Sequence, residues 1–356
     1  MDDRFVGTAP VQARHRFDEA ALASYLEAHI EGFRGPLTVA QFKGGQSTPT
    51  FLLTTPEASY VLRRKPPGKL LPSAHAVDRE YRVMNALRVT AVPVPRMHCL
   101  CEDDAVIGTA FHVMERMQGR ILWDPALPGM NPPDRASIFD SMNQVIAALH
   151  TVDPAAIGLA GYGKPGNFFA RQIGRWTSQD RASETERIES MERLIEWLPQ
   201  HIPPGDAVAL VHGDYRLDNL VFHATEPRVI AVLDWELSTL GHPVADFAYH
   251  AMAWDMPAGE MLGLSGLPLP ALGIPAIDAY VMRYCERAGT PPPTATEWNF
   301  YVAHNLFRAA AISQGIMRRA LDGSASSPHA LEAGRKARVV AQAAWQRVAD
   351  TGQTPN

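Results

Sequence analysis

The sequence predicts an α+β protein of two unequal lobes, a small antiparallel β lobe followed by a larger helical one. Three observations carry that expectation. Between Leu37 and Arg64, short β-prone runs (37–42, 50–54 and 60–63) are separated by Gly44-Gly45 and Pro56-Glu57, the pattern of antiparallel strands and turns. After Gly119 the pattern changes to helix, with helical runs over 133–150, 167–179, 184–198, 277–287, 297–319 and 328–349. The chain has 356 residues, 46% of them hydrophobic and 20% charged, enough for a buried core in each lobe. The division falls within 115–119, so the lobes span 1–116 and 117–356.

Phe17 to Ile30 reads as a leading helix, with Asp18 placed to cap its first N–H groups. A Pro/Gly-rich loop over 66–72 follows the first strands. Next comes a helix over 73–88 whose apolar stripe is Val77, Tyr81, Met84 and Leu87. Strand-like runs over 94–101 and 111–114 close the first lobe. In the second lobe strands are few, and two of them, 208–211 and 229–233, flank the segment richest in chemistry.

Composition narrows the functional classes. A formal charge of −5 and a pI near 6.2 supply no global field for polyanions, which argues against nucleic acid or an anionic membrane as partner. The apolar run 257–277 is interrupted by Glu260, Pro268, Pro270 and Pro275, so it does not read as a membrane span. Cys99 and Cys101 are too close for an ordinary disulfide and Cys285 has no evident mate. With a polar first stretch lacking a secretory pattern, this points to a reducing, cytoplasmic setting.

The segment His212-Gly213-Asp214-Tyr215-Arg216-Leu217-Asp218-Asn219 combines a preceding buried strand, a glycine turn, an acid, and an amide five positions after the acid. Twenty positions beyond Asp214, a second strand over 229–233 delivers Asp234. Phosphoryl transfer needs a carboxylate to receive or orient a hydroxyl proton, and hard oxygen ligands to hold Mg²⁺ against phosphates. Asp and Asn in turns commonly satisfy only their own backbone. Here, however, an acid, an amide and a second acid all stand at strand ends with the spacing of a kinase catalytic loop. A metallohydrolase would call for His-x-His or His-Glu-x-x-His beside the acid, and neither occurs.

His-Gly-Asp-x-x-x-x-Asn followed by Leu233-Asp234-Trp235-Glu236 resembles the aminoglycoside phosphotransferase and choline kinase superfamily, over roughly residues 30 to 320. The resemblance implies a bilobal protein-kinase-like fold and the use of ATP and Mg²⁺. It makes Asp214 the catalytic base, Asn219 and Asp234 the metal ligands, and His212 a structural member of the loop. Glu236 would touch metal or substrate, and Asp246, in Gly241-His242-Pro243-Val244-Ala245-Asp246, would brace the catalytic loop. The first lobe becomes the nucleotide-binding one. In it Gly44, Gly45 and Ser47 form a turn over the phosphates, and Arg63 stands where protein kinases have Lys. Arg presents a bidentate fork to phosphate, and alternation turns Arg64 away, leaving Lys65 as the rival. Glu80 lies on the Val77–Tyr81–Met84 stripe while Asp78 falls on a different face, so Glu80 is the expected partner of Arg63. Backbone groups at Glu115–Met117 would hold adenine.

The resemblance implies a small hydroxyl compound as acceptor. Residues 251–277 are dominated by Met, Leu, Pro and Trp254, which suits an apolar acceptor better than a polycationic antibiotic and equally suits plain core. The stretches 60–75 and 299–319 are similar to the kinase-like domain fused to acyl-CoA dehydrogenases, which implies a hydroxyacyl or hydroxyacyl-CoA acceptor and a link to acyl-CoA metabolism. Arg283, Arg308 and Arg318 can meet a carboxylate or CoA phosphate, or serve in surface ion pairs. Two alternatives stay open: a nucleotide-binding regulatory module without transfer, and an aminoglycoside-type antibiotic kinase.

Overall fold

The computed structural model describes residues 7–43, 48–66, 76–164, 166–259, 262–325 and 329–349. Its chain divides into two units, 1–119 with 230–237, and 120–229 with 238–356. The smaller unit is therefore not one continuous stretch: residues 230–237, which include Asp234, group with it rather than with the helical unit.

The smaller unit contains β1 (Thr8–Ala9), α1 (Glu19–His29), β2 (Thr38–Phe42), β3 (Thr50–Thr54), β4 (Ser59–Arg64), α2 (Val77–Leu87), β5 (Met97–Cys101), the single turn α3 (Asp104–Ile107) and β6 (Phe111–Glu115). Six strands make one sheet in the order β1-β2-β3-β4-β6-β5, with each neighbouring pair antiparallel. Asp18 caps α1 as expected, its Oδ1 accepting from the N–H groups of Ala20 and Ala21, both at 2.9 Å.

Strand β4 is buried along nearly its whole length, and its period-two alternation decides where its arginines go. Tyr60 and Leu62 join Leu22 and Leu26 of α1, Phe51, Leu53, Phe111 and Val113 in one apolar cluster. Arg64 stands on that side, its guanidinium 5.2 Å from the Phe17 ring centre and bonded to the Ile107 carbonyl. Arg63 consequently faces the other way, toward α2. The buried stripe of α2 is Val77, Glu80, Val83, Met84 and Leu87, so Tyr81, expected on it, is only half-buried. The stripe rotates because Glu80 has a cation to meet inside.

The larger unit holds α4 (Pro132–His150), α5 (Phe168–Ser183), α6 (Glu189–Trp197), β8 (Ala209–Val211), β9 (Leu220–His223), β11 (Thr239–Gly241), α7 (Pro243–Ala251), α8 (Leu269–Leu272), α9 (Ile277–Ala288), α10 (Ala295–Leu321) and α11 (Ala330–Ala349). Strands β7 (Gly119–Ile121) and β10 (Val229–Val232) lie where the chain passes from one unit to the other. Helix α10 begins in a capping box, with the Thr294 side chain on the Glu297 N–H and the Glu297 carboxylate on the Thr294 N–H. It packs against α5, α7 and α11 and is the central helix of this unit. Strand β8 pairs antiparallel with β11, Val211 opposite Thr239 and Ala209 opposite Gly241. A side chain at Gly241 would fall 2.7 Å from the Phe168 ring, so glycine is required for that approach.

Trp254, Met256, Leu264 and Ile274 are buried. Trp254 stacks on Tyr280 at 4.9 Å and meets Phe139 edge-on. The apolar character of 251–277 thus serves core packing at these four positions. Cys99, Cys101 and Cys285 are free and buried. Among the described residues no helix is long and apolar enough to cross a membrane.

Candidate active site

In the smaller unit three elements bring one cation among carboxylates. Arg63, at the end of β4, donates from Nη1 to Glu80 Oε1 at 2.6 Å and from Nη2 to Asp234 Oδ1 at 3.0 Å. Glu80 Oε1 also accepts the Trp235 N–H at 3.2 Å, so one glutamate ties α2 to β4 and to the turn carrying Asp234. Trp235 is fully buried and its indole N–H meets the Val232 carbonyl at 3.0 Å. Asp234 itself has φ +64°, a left-handed conformation that Asp tolerates better than most residues and that marks a strained position. Glu236 accepts from the Thr48 hydroxyl at 3.2 Å.

The charge balance of this cluster is uneven. Burial opposes the Arg63 charge, but Glu80 and Asp234 outweigh it and raise the guanidinium pKa. Burial pushes the Glu80 carboxyl upward against the pull of Arg63, and Asp234 and Glu236 push the same way. Three carboxylates thus act on one another and on one arginine in this cluster. Buried His112, its Nδ1 at 3.2 Å from the Val77 carbonyl, is driven down to about 3 by burial and by Arg63 and stays neutral. Lys65 ends in no side-chain bond among the described residues, so Arg63 is the cation paired with Glu80. Asp78 is not in the cluster. The turn residues Gly44, Gly45 and Ser47 lie outside the described residues. The Glu115 carboxylate is exposed and its N–H meets the Arg96 carbonyl at 2.8 Å. Met117 enters none of the turn and loop backbone hydrogen bonds among the described residues.

In the larger unit a buried carboxylate organises the loop after β8. Asp246, on the first turn of α7, accepts the His212 N–H on Oδ2 and the Gly213 N–H on Oδ1, each at 2.8 Å, with His150 Nε2 at 3.1 Å. Burial works against this charge, but His150 and His212 outweigh it and hold the Asp246 carboxyl below its ordinary range. Gly213 has φ +81°, the left-handed turn that its lack of a side chain permits. The fully buried His212 ring accepts the Asp214 N–H on Nδ1 at 3.2 Å.

Asp214 therefore projects from a loop fixed from beneath. Asn219, on a one-turn 3₁₀ segment, donates from its amide to both the Asp214 carbonyl and Oδ2, each at 2.9 Å. Tyr249 donates to Oδ1 at 2.5 Å and Arg216 approaches the same oxygen at 3.2 Å. Burial and the adjacent carboxylate raise the Tyr249 phenol, which keeps it a donor. With both Asn219 N–H groups used on Asp214, its amide oxygen is left to accept a cation. Both proposed metal ligands, Asn219 and Asp234, thus offer the hard oxygens Mg²⁺ prefers. Among the described residues no three His, Cys, Asp or Glu form a group that could hold a metal ion.

Tyr249 was not anticipated, although its spacing from Asp246 (i, i+3 on one helix) puts both on the face toward the loop. His150 was likewise missed because it lies almost a hundred residues from its carboxylate partner. The three arginines considered for an anion separate clearly. Arg283 pairs with Asp140 at 2.7 Å and Arg318 donates to the Glu184 carbonyl at 2.5 Å, whereas Arg308 does neither.

A β-rich unit followed by a helix-rich unit, with this order of strand, acid, amide and second acid, is the fold of a protein-kinase-like small-molecule phosphotransferase. Residues 38–293 match the phosphotransferase enzyme family, and the chain belongs to it. A Ralstonia eutropha protein provisionally described as an aminoglycoside phosphotransferase is 56% identical, with TM-score 0.86, over 94% of this chain and 99% of its own. The aminoglycoside phosphotransferase APH(4)-Ia, solved with ADP and hygromycin B, shares the fold at 18% identity and TM-score 0.59, over 93% of this chain and 98% of its own.

Curated relatives point elsewhere. Acyl-CoA dehydrogenase family member 10 of Mus musculus is 46% identical over 95% of this chain and 32% of its own length. Family member 11 of Rattus norvegicus is 43% identical over 90% of this chain and 42% of its own length. The chain spans less than half the length of these relatives.

Proposed function

We propose that the protein transfers the γ-phosphate of ATP to a hydroxyl group of a small molecule, with Asp214 as the base that receives or orients the hydroxyl proton. The observation that carries this reading is the hold on Asp214: two side-chain donors, Tyr249 and Asn219, and the Arg216 guanidinium fix its carboxylate on a loop braced by Asp246. Such orientation is the protein's main contribution where the reacting groups themselves supply the chemistry. Asn219 and Asp234 would hold Mg²⁺, which neutralises phosphate charge when bound. Arg63, kept in place by Glu80, would meet phosphate oxygens, and the Glu115–Met117 main chain would meet adenine.

For the acceptor, likeness to acyl-CoA dehydrogenase family members over nearly the whole of this chain supports a hydroxyacyl or hydroxyacyl-CoA compound and a link to acyl-CoA metabolism. Three free cysteines fit a cytoplasmic setting. The test is an ADP-release screen of hydroxy acids, hydroxyacyl-CoAs, choline, sugars and aminoglycosides. With the best acceptor, Asp214→Asn should lower kcat by about a hundredfold or more. Undiminished turnover in that variant would remove Asp214 from the role.

A further inference from the structure

Arg308, on α10, is a cation without a counter-ion. Among the described residues it makes no hydrogen bond and no ion pair, and its Nε is buried without a partner. Its guanidinium lies 5.5 Å from the Trp176 ring centre on α5 and 4.7 Å from the Tyr249 ring centre on α7. Arginine beside aromatic rings is held by dispersion and cation–π attraction, which restrict its orientation while leaving its N–H fork unused. A fork restrained in this way is a receptor for a carboxylate or phosphate.

The location of the arginine gives it a function. Tyr249, over which Arg308 sits, is the phenol that donates to Asp214 Oδ1, so a single side chain links the unpaired cation to the proposed base. Arg216, the other cation beside Asp214, is by contrast already paired with that carboxylate and with Asp218. Arg175, also without a bonded partner among the described residues, lies 5.3 Å from the same Trp176 ring. One turn before Arg308 on α10, His304 is buried with neither ring nitrogen bonded. This face of the larger unit gathers positive charge and unused donors, where a polycationic acceptor would require carboxylates.

We propose that Arg308 is a specificity-determining residue that binds an oxyanion, carboxylate or phosphate, on the acceptor whose hydroxyl Asp214 serves. The inference rests on the phosphotransfer reading and narrows it to anionic acceptors. It also divides the alternatives on charge, since an aminoglycoside would be repelled at Arg308.

The experiment compares straight-chain hydroxy acids, their uncharged primary amides and their coenzyme A thioesters, by ADP release and by direct calorimetric binding in the presence of a non-hydrolysable ATP analogue and Mg²⁺. Wild type should favour an oxyanion-bearing form over the amide by about ten- to a hundredfold, the scale of a charge-assisted hydrogen-bonded contact. Arg308→Met, which keeps the packing against Trp176 and Tyr249 but removes the charge, should erase that ratio, and Arg308→Lys should keep part of it. Preference for the acid would identify a carboxylate; preference for the thioester alone would identify a CoA phosphate. A ratio unchanged in Arg308→Met, or equal use of acid, thioester and amide by wild type, would overturn the inference while leaving phosphotransfer standing. Arg308-dependent binding of the acid or thioester without ADP release from any acceptor would do the reverse, sinking the phosphotransfer reading and keeping the oxyanion site. Neither release nor Arg308-dependent binding would sink both.

Discussion

Two buried carboxylates, Glu80 in the smaller unit and Asp246 in the larger, solve opposite problems. Glu80 has one strong partner, Arg63, and must share it with Asp234 and Glu236, so burial raises its pKa. Asp246 has no arginine at all, yet two backbone N–H groups and His150 converge on its two oxygens and hold its pKa down. In the first arrangement several carboxylates compete for one guanidinium. The second is fully paired and suited to hold a loop in one shape. Within its own unit each carboxylate has a distinct job, Asp246 fixing the loop that carries Asp214 and Glu80 holding Arg63 and the turn that carries Asp234.

The largest expected effect tests the brace. Asp246→Asn loses a charge paired to three donors and turns an amide N–H toward at least one of them, so a loss of about 3–5 kcal/mol follows. In thermal unfolding this reads as a drop of roughly 10 °C for a protein of this size. Because the folded pKa of Asp246 is depressed below 3.8, its stabilisation is present above that value and fades as pH falls through the folded pKa. The gap between wild type and variant should accordingly narrow only in strong acid. An unchanged melting temperature with lost turnover would break the comparison, because it would move Asp246 from brace to chemistry.

Glu80→Gln should be gentler, about 1–2 kcal/mol, because Arg63 keeps Asp234 at 3.0 Å as a partner. Its pH signature is the more telling one. A carboxyl whose folded pKa is raised above 4.5 binds its proton more readily in the folded state, so wild-type stability should fall as pH rises from 4.5 through that raised value. Glu80→Gln removes the slope. Denaturant titrations without divalent cation check both points. A loss equal to that of Asp246→Asn, or a slope that survives the substitution, would show that the two carboxylates do not differ in the way described.

How much of this was legible in the sequence depends on whether a contact is local. Asp214 and Asn219 are five residues apart on one turn, and β4 alternation separated Arg63 from Arg64, so both could be read from spacing. The Arg63–Glu80 pair was read as well, from Glu80 on the stripe of α2, while the half-buried place of Tyr81 on that stripe was not. Strands β9 and β11 were not anticipated, although β8 and β10, equally short, were read from the apolar runs 208–211 and 229–233. The apolar run 251–277 left an acceptor pocket and plain core equally open. Composition does not distinguish a greasy pocket from a core, and Trp254 turns out to stack on Tyr280. Arg308 was one of three arginines equal in the sequence, and only the partners of the other two, Asp140 and the Glu184 carbonyl, set it apart.

The smallest effect examines the link between brace and base. Tyr249 shares α7 with Asp246 but bonds to Asp214 itself, so it belongs to the fixed side of the comparison while touching the proposed chemistry. In Tyr249→Phe the ring beneath Arg308 remains and Asp214 retains Asn219 and Arg216, so stability should change by less than about 1 kcal/mol. Without the phenol donor, however, one carboxylate oxygen loses an anchor, and misalignment of a base is felt in the rate. We expect kcat to fall about tenfold with KM little altered, since an interaction that orients the base acts on the transition state rather than on ground-state binding. A change confined to KM would instead assign the phenol to the acceptor, and the rigid hold on Asp214 would then have to come from Asn219 and the loop alone.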